Sequence, residues 1–166
     1  TSIDNNFKIT PQQLKEAISD KTKALMLCSP SNPTGSIYTK EELKEIAEIV
    51  AASKNDIYII SDEIYEYINF EGKHESIAQF DIVKDKTIII NGVSKGYAMT
   101  GWRIGYMAAP KEVAAACAKL QGQVTSGACS IAQRASLTAI TSDNSFTREM
   151  NEAFKRRRDL VLEGLD

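Results

Sequence analysis

Two cationic residues with different chemistry stand eight positions apart in the glycine-rich stretch 91–106, NGVSKGYAMTGWRIGY. Lys95 follows shortly after one apolar run, and Arg103 directly precedes another. A lysine amine that loses its proton is a nucleophile and forms a Schiff base with a carbonyl group, and a nearby cation favours this neutral form. A guanidinium binds phosphate through paired, charge-assisted hydrogen bonds. The two residues together predict covalent chemistry beside a phosphate group.

Three further polar residues complete a plausible cofactor site. Asp62 ends an apolar run, and an ionised carboxylate at the end of a buried strand needs a partner. A protonated pyridine nitrogen would serve, because the pair holds the ring as an electron sink. The Tyr65 hydroxyl and the Asn32 amide could hydrogen-bond a phenolic oxygen. With Lys95 and Arg103, these side chains predict a site for pyridoxal 5′-phosphate (PLP).

Each of these residues also has a purely structural explanation. Asn32 precedes a proline and suits a turn, Asp62 could cap a helix, and Tyr65 could be a half-buried packing residue. Arg103 could pair with a structural carboxylate, and an isolated lysine in such a turn is usually a solvated charge. Trp102 is interpreted as core packing. The joint pattern favours the cofactor site, because every structural explanation would have to hold at once.

The elements that must position these side chains are strands alternating with helices. Such a pattern is typical of a largely parallel sheet covered by helices on both faces, where ligands bind beyond the carboxyl ends of the strands. Asn32, Asp62 and Lys95 each follow a predicted strand and are therefore expected to converge on one crevice. The predicted strands span residues 24–28, 57–60, 87–90 and 104–109.

Helix starts are visible before two of these strands. Thr10 followed by Pro11 predicts a capped first helix, and Thr39 with Glu42 three residues later predicts a capping box. A short helix is predicted near residues 77–80. After Pro110 the pattern becomes helical, with predicted helices over 111–123 and 131–140. A last helix, capped by Asp143 or Ser145, is predicted to run to the chain end at Asp166.

Composition excludes several classes of function. The 166 residues carry a net charge of −2, so nothing favours binding of nucleic acid or of an anionic membrane. No apolar stretch is long enough to span a bilayer and no signal peptide is visible, so the cytoplasm is the expected location. His74, the only histidine, is predicted to lie in a surface loop. Three scattered cysteines, Cys28, Cys117 and Cys129, predict neither disulfides nor a metal site.

Three motifs carry a resemblance to a known family. SPSNPTG, SDEIYEY and NGVSKGYAMTGWRIGY occur in this order, and the chain resembles the central part of a fold-type I PLP-dependent aminotransferase of class I/II, close to the bacterial aspartate aminotransferases. The resemblance implies a three-layer α/β/α fold with a mostly parallel sheet, belonging to the large domain. Residues 1–143 would form the core of this PLP-binding domain. Residues 144–166 would lead toward an absent C-terminal small domain.

The resemblance also implies a role for each candidate residue. Lys95 would form the Schiff base with PLP and move a proton between the substrate α-carbon and the cofactor C4′. Asp62 would pair with the ring nitrogen, and Arg103 would bind the phosphate. Tyr65 and Asn32 would bond the phenolic oxygen, and Asn32 would also approach the substrate carboxylate. Many relatives carry a phosphate-binding serine three residues before the lysine, where this chain has a glycine.

The implied function is transfer of an amino group between an amino acid, aspartate by resemblance, and a 2-oxo acid, 2-oxoglutarate by resemblance. The full-length protein would be a homodimer, and this segment is expected to be inactive alone. Three alternatives remain open: an aromatic aminotransferase, a carbon–sulfur lyase, and the aminotransferase-like sensor domain of a transcription regulator. A nucleotide-binding protein is disfavoured, because neither G-x-x-x-x-G-K-[ST] nor a G-x-G-x-x-G after the first strand is present.

Overall fold

A four-stranded sheet forms the centre of the computed structural model, which describes residues 1–165. The strands lie side by side in chain order: β1 (Ala24–Cys28), β2 (Tyr58–Asp62), β3 (Thr87–Gly92) and β4 (Gly105–Ala108). β1, β2 and β3 pair in parallel, whereas β4 pairs antiparallel with β3. The predicted mostly parallel sheet is confirmed; β1 has the predicted bounds, and the ends of the other strands differ by at most two residues.

The reversal at β4 follows from the connection that precedes it. Parallel strands need a crossover of a dozen or more residues, usually through a helix. The segment from residue 93 to residue 104 contains only the short 3₁₀ turn Thr100–Trp102. The chain therefore returns beside β3 in the opposite direction.

Helices α1 (Pro11–Ala17), α2 (Lys40–Ala51) and α3 (Asp81–Lys84) accompany the first three strands. Both predicted helix starts are confirmed. The Thr39 hydroxyl accepts a hydrogen bond from the Glu42 backbone N–H, and the Glu42 carboxylate accepts one from the Thr39 backbone N–H. The same reciprocal pair joins Thr10 and Gln13 at the start of α1.

One face of the sheet is sealed by these helices. Leu27 of β1 and Ile59 of β2 are 4% and 0% exposed, and both belong to the main hydrophobic cluster. The intervening positions point to the opposite face, because side chains alternate along a strand. The cluster consists of Leu14, Leu27, Tyr38, Leu43, Ile46, Ala47, Val50, Ile57, Ile59, Ile77 and Val83.

The opposite face is open. Helices α4 (Lys111–Val124) and α5 (Ser130–Ile140) line a groove of about 1380 Å³ together with Ile90 of β3 and Met107 of β4. No residue of α4 is buried. The prediction that Trp102 packs in the core is wrong: it lies on the wall of this groove and is 46% exposed. Without a facing surface in the described residues, an indole there stays in contact with solvent.

The last helix, α6, spans Ser145–Glu163. Its N-cap is Asn144, in the left-handed conformation and without a side-chain cap, so the prediction of a cap at Asp143 or Ser145 is wrong. Instead, the carboxylate of Asp143, two residues before the first helical residue, accepts a hydrogen bond from the Ser145 backbone N–H at 3.0 Å. The prediction that the helix continues to the chain end is wrong, because it ends at Glu163 with Gly164 as its C-cap; Asp166 itself lies outside the described residues. Within residues 1–165, no helix is both long and apolar enough to cross a membrane.

Candidate active site

Three of the predicted site residues meet beyond the carboxyl ends of the strands. Asn32 lies in the turn after β1, Tyr65 in the turn after β2 and Lys95 in the turn after β3. The Asn32 amide donates to the Tyr65 hydroxyl at 3.1 Å. The Lys95 ammonium lies 5.6 Å from the centroid of the Tyr65 ring. The tyrosine is thus the centre of the group, with an amide at its hydroxyl and an amine over its ring.

Asp62 is the last residue of β2 and faces the open side of the sheet. It pairs in register with Cys28 and Ile90, and the Ile90 side chain lines the open groove. Its backbone carbonyl accepts from Ser29 at 3.1 Å, and one carboxylate oxygen accepts from the Ile64 N–H at 3.2 Å. Within residues 1–165, no cationic side chain forms an ion pair with this carboxylate.

The turn that carries Lys95 is held by aromatic residues that sequence reasoning missed. Gly96 lies against Tyr67 so closely that an added Cβ would come within 2.5 Å of the ring. Tyr97 is 5% exposed and meets Tyr67 edge to face, with ring centroids 5.2 Å apart. Its hydroxyl donates to the Asn144 side chain at 3.0 Å, which ties the lysine turn to the start of α6. Burial and the adjacent Tyr67 hydroxyl raise the pKa of Tyr97 and keep it a donor.

Arg103 stands apart from the other four residues. It is exposed, lines the open groove beside Trp102, and donates to the Thr100 carbonyl at 3.0 Å. Its backbone is left-handed, with φ of 57°. Within the described residues its side chain makes no hydrogen bond to Asn32, Asp62, Tyr65 or Lys95. The structure therefore shows a guanidinium facing a groove, and its role toward phosphate remains a prediction.

Gly92 has no room for a side chain. An added Cβ would lie 2.7 Å from the Ile104 carbonyl and 3.0 Å from the Gly105 Cα, both backbone atoms that cannot rotate away. A serine at this position would require the β3–β4 pair to separate locally. The backbone around Gly92 therefore leaves no space for the phosphate-binding serine that the sequence resemblance implies at this position.

Glu63 and His74 form a second polar cluster, on the sealed side of the sheet. The Glu63 carboxylate is 4% exposed and accepts from Ser61 at 2.8 Å, Ser76 at 2.7 Å and His74 Nε2 at 2.9 Å. Burial alone would raise the pKa of Glu63, but these hydrogen bonds, from His74 first, hold it below its usual value.

The prediction that His74 lies in a surface loop is therefore wrong: its side chain is 14% exposed and engaged with a buried acid. Sequence reasoning had one usable signal. An acid directly after Asp62 on a strand must point to the opposite face, which is the sealed one, and there it needs partners.

The residues on the open side fit PLP by their chemistry. The cofactor presents an aldehyde, a ring nitrogen, a phenolic oxygen and a phosphate. Lys95 supplies an amine, and Asp62 a carboxylate with no cationic partner among the described residues. Asn32 and Tyr65 already form one hydrogen-bonding unit, and Arg103 supplies a guanidinium on the groove wall.

Known proteins share this sequence and this fold. The sequence model of the class I and II aminotransferases matches residues 1–166. The aspartate aminotransferase of Geobacillus stearothermophilus is 48% identical over 163 residues, which are 97% of this chain and 41% of that protein. The crystal structure of the Rhizobium meliloti aspartate aminotransferase superimposes with a TM-score of 0.95 at 39% identity, covering 99% of this chain and 42% of the other.

A relative with a different activity superimposes almost as well. The aromatic aminotransferase of Pyrococcus horikoshii gives a TM-score of 0.92 at 38% identity, covering 98% of this chain and 44% of the other. The chain thus spans about two fifths of the length of the relatives that it matches. By sequence and by fold, it belongs to the class I and II aminotransferases, a family that depends on PLP.

Proposed function

We propose that this chain is the cofactor-binding segment of an aminotransferase that transfers an amino group between aspartate and 2-oxoglutarate. The observation that carries the proposal is the convergence of Asn32, Tyr65 and Lys95 beside the end of the strand that carries Asp62. Support for the substrate pair comes from the relatives, many of which are aspartate aminotransferases. A homodimer and a cytoplasmic location belong to the same proposal.

Each residue has a defined task in this proposal. PLP, when bound, supplies the electron sink that makes the substrate α-proton acidic. Lys95 would anchor the cofactor, then take the proton from the substrate α-carbon and deliver it to the cofactor C4′. Asp62 keeps the ring nitrogen protonated, Tyr65 and Asn32 donate to the phenolic oxygen, and Arg103 binds the phosphate.

The cofactor assignment is tested by covalent trapping. The chain is mixed with PLP and reduced with borohydride, and the modified peptide is identified by mass spectrometry. We expect labelling at Lys95 and its loss in Lys95→Ala. Lys84→Ala, which removes an exposed lysine from the end of α3, is the matched control and should leave the labelling unchanged. Labelling spread evenly over surface lysines, in this chain and in the complete protein, would refute the assignment.

The activity assignment is tested by turnover. We expect the complete protein to convert L-aspartate and 2-oxoglutarate, and this 166-residue chain to show no turnover, because it spans about two fifths of its relatives. A panel of amino acids that includes the aromatic ones separates this substrate pair from the second candidate. That candidate, an aromatic aminotransferase, is favoured by the Pyrococcus horikoshii structure. Turnover by the isolated chain would contradict the proposal that it is an incomplete enzyme.

A further inference from the structure

Glu63 directly follows Asp62, and the two carboxylates point to opposite sides of the sheet. Asp62 pairs with Cys28 and Ile90 and faces the open groove side. Glu63 faces the sealed side, where it is 4% exposed. The Glu63 backbone N–H extends the β2–β3 ladder by donating to the Ile90 carbonyl at 2.9 Å. The two adjacent carboxylates therefore lie in different surroundings, one on the open side and one on the sealed side, but they are connected directly through the backbone.

The Glu63 side chain is fixed at both oxygens. One oxygen accepts from the Ser61 and Ser76 hydroxyls at 2.8 and 2.7 Å, and the other accepts from His74 Nε2 at 2.9 Å. Hydrogen bonds to an ionised acceptor are shorter and stronger than neutral ones. Because two of the three donors come from the loop 69–76, the carboxylate fastens this loop to the end of β2.

The loop is also fastened at its far end. The Asn151 side chain of α6 donates to the Asn69 carbonyl at 2.7 Å. The Arg158 guanidinium, also from α6, lies 4.9 Å from the centroid of the Phe70 ring. Since α6 holds one end of the loop and Glu63 the other, the loop is a fixed support for the residues just after β2.

This support reaches Asp62 through one peptide group. The N–H of Ile64, in the peptide between residues 63 and 64, donates to an Asp62 carboxylate oxygen at 3.2 Å. A shift of Glu63 would move that N–H and turn the Asp62 carboxylate. The Asp62 carbonyl is held separately by Ser29 at 3.1 Å, so the carboxylate turns more easily than the backbone moves.

Other charged and titratable groups surround Glu63 on the sealed side. Lys73, Glu75, Glu66 and Tyr106 line a cavity of about 480 Å³ together with Glu63 and His74. Burial raises the pKa of Glu66, despite a hydrogen bond from Asn91. None of these groups bonds to Glu63 among the described residues except His74, which makes the histidine and the two serines its specific partners.

We propose that Glu63, held by His74, Ser61 and Ser76, is a positioning residue that aims the Asp62 carboxylate at the cofactor ring nitrogen. The inference rests on the proposed function, because it assumes the role of Asp62. It assigns the loop 69–76 and its histidine a purpose beyond packing: they keep the Glu63–Ile64 peptide in place while Asp62 faces the groove.

The test uses the complete protein with PLP bound. Its readouts are the visible absorption spectrum of bound PLP, the pH at the midpoint of the spectral change, and the PLP dissociation constant. We expect Glu63→Gln to shift the spectrum and the midpoint and to raise the dissociation constant roughly tenfold, since it replaces a charge-assisted network by a neutral one. His74→Gln and Ser76→Ala should shift the spectrum and the midpoint less, because each variant leaves two of the three hydrogen-bond donors to Glu63 unchanged.

The matched control is Glu66→Gln, an equal change of charge on the same side of the sheet, which should leave the spectrum and midpoint unchanged. A lower melting temperature with a wild-type spectrum in Glu63→Gln would show a merely structural role and overturn the inference. An equal spectral shift in Glu66→Gln would overturn it too. If Glu63→Gln does not fold, wild-type spectra in both His74→Gln and Ser76→Ala overturn it, and shifted spectra support it.

A separate variant distinguishes this inference from the proposed function. If Asp62→Asn leaves the spectrum and the dissociation constant unchanged, the role of Asp62 in the proposed function fails, and this inference fails with it. If Asp62→Asn changes both and Glu63→Gln changes neither, the proposed role of Asp62 stands and only the positioning role of Glu63 is lost.

Discussion

The two faces of the sheet differ sharply although they share the same strands. On the sealed face Leu27 and Ile59 are 4% and 0% exposed, whereas Met26, one residue before Leu27, is 73% exposed on the open face. The sealed face carries the hydrophobic cluster, and the open face carries Asp62 and the groove. Stability and the candidate chemistry are therefore assigned to opposite sides of one sheet.

The helices repeat this division. α1 and α2, on the sealed side, each begin with a reciprocal capping box. α4 and α5, which line the open groove, begin without a side-chain hydrogen bond at the N-cap, as does the four-residue α3 on the sealed side. A capping box satisfies two otherwise unpaired backbone donors, and loss of a cap costs about 1 kcal/mol. The two longer helices of the sealed side thus combine apolar burial with capped N-termini, whereas α4 has no buried residue and α5 has no capped N-terminus.

The largest expected effect is a cavity on the sealed face. Ile59→Ala should lower the free energy of unfolding of this chain by about 3 kcal/mol, because it removes a fully buried side chain. Met26→Ala, on the neighbouring strand, should change it by less than about 0.5 kcal/mol. Urea unfolding followed by circular dichroism measures both. An equal loss of unfolding free energy in the two variants would show that the two faces contribute equally to stability.

The second effect compares the adjacent acids. Glu63→Gln should lower the free energy of unfolding at pH 7 by about 2 kcal/mol, because three hydrogen bonds to a buried charge are weakened. Asp62→Asn, the same chemical change on the open face, should have an effect below about 0.5 kcal/mol.

The pH dependence of the Glu63 effect has a definite sign. The pKa of Glu63 is lowered by folding, so its stabilisation is fully present above the ordinary value of 4.5 and is lost as the pH falls through the lowered value. The difference between wild type and Glu63→Gln should therefore shrink in acid. Urea titrations at several pH values check this, and a difference that grew on acidification would contradict the assignment.

The smallest effect is at a helix start on the sealed side. Thr39→Ala should lower the free energy of unfolding by about 1 kcal/mol, because the N–H of Glu42 loses its acceptor. Thr39→Ser keeps the hydroxyl and is the control. If the alanine and serine variants have the same midpoint in urea, the capping box contributes nothing to this side of the molecule.

Much of the fold could be predicted from local sequence. Apolar runs located all four strands, and the capping signal at Thr39 located the start of α2. The convergence of Asn32 and Lys95 could be anticipated, because parallel strands bring their carboxyl ends to one edge. The strands and the helix start depend on neighbours in the chain, which periodicity and capping patterns report, whereas the convergence follows from the general geometry of a parallel sheet.

What could not be predicted depends on contacts distant in sequence. Trp102 is apolar, yet burial requires a facing surface, and α4 and α5 leave a groove there. His74 lies in a polar stretch, but its side chain is hydrogen-bonded to the buried carboxylate of Glu63, eleven residues earlier. Tyr97 reaches Asn144, 47 residues away, and no local pattern reports that hydrogen bond.

Arg103 occupies a left-handed backbone position, with φ of 57°, that an L-residue with a long side chain adopts at a cost of about 1–2 kcal/mol. Glycine would relieve that strain and delete the guanidinium. A selection for thermal stability alone would therefore favour Arg103→Gly and discard the proposed phosphate contact in the same step. Under the proposed function, the residue that is most stable at this position and the residue that binds phosphate there are different, so the backbone itself would impose a stability–activity trade-off.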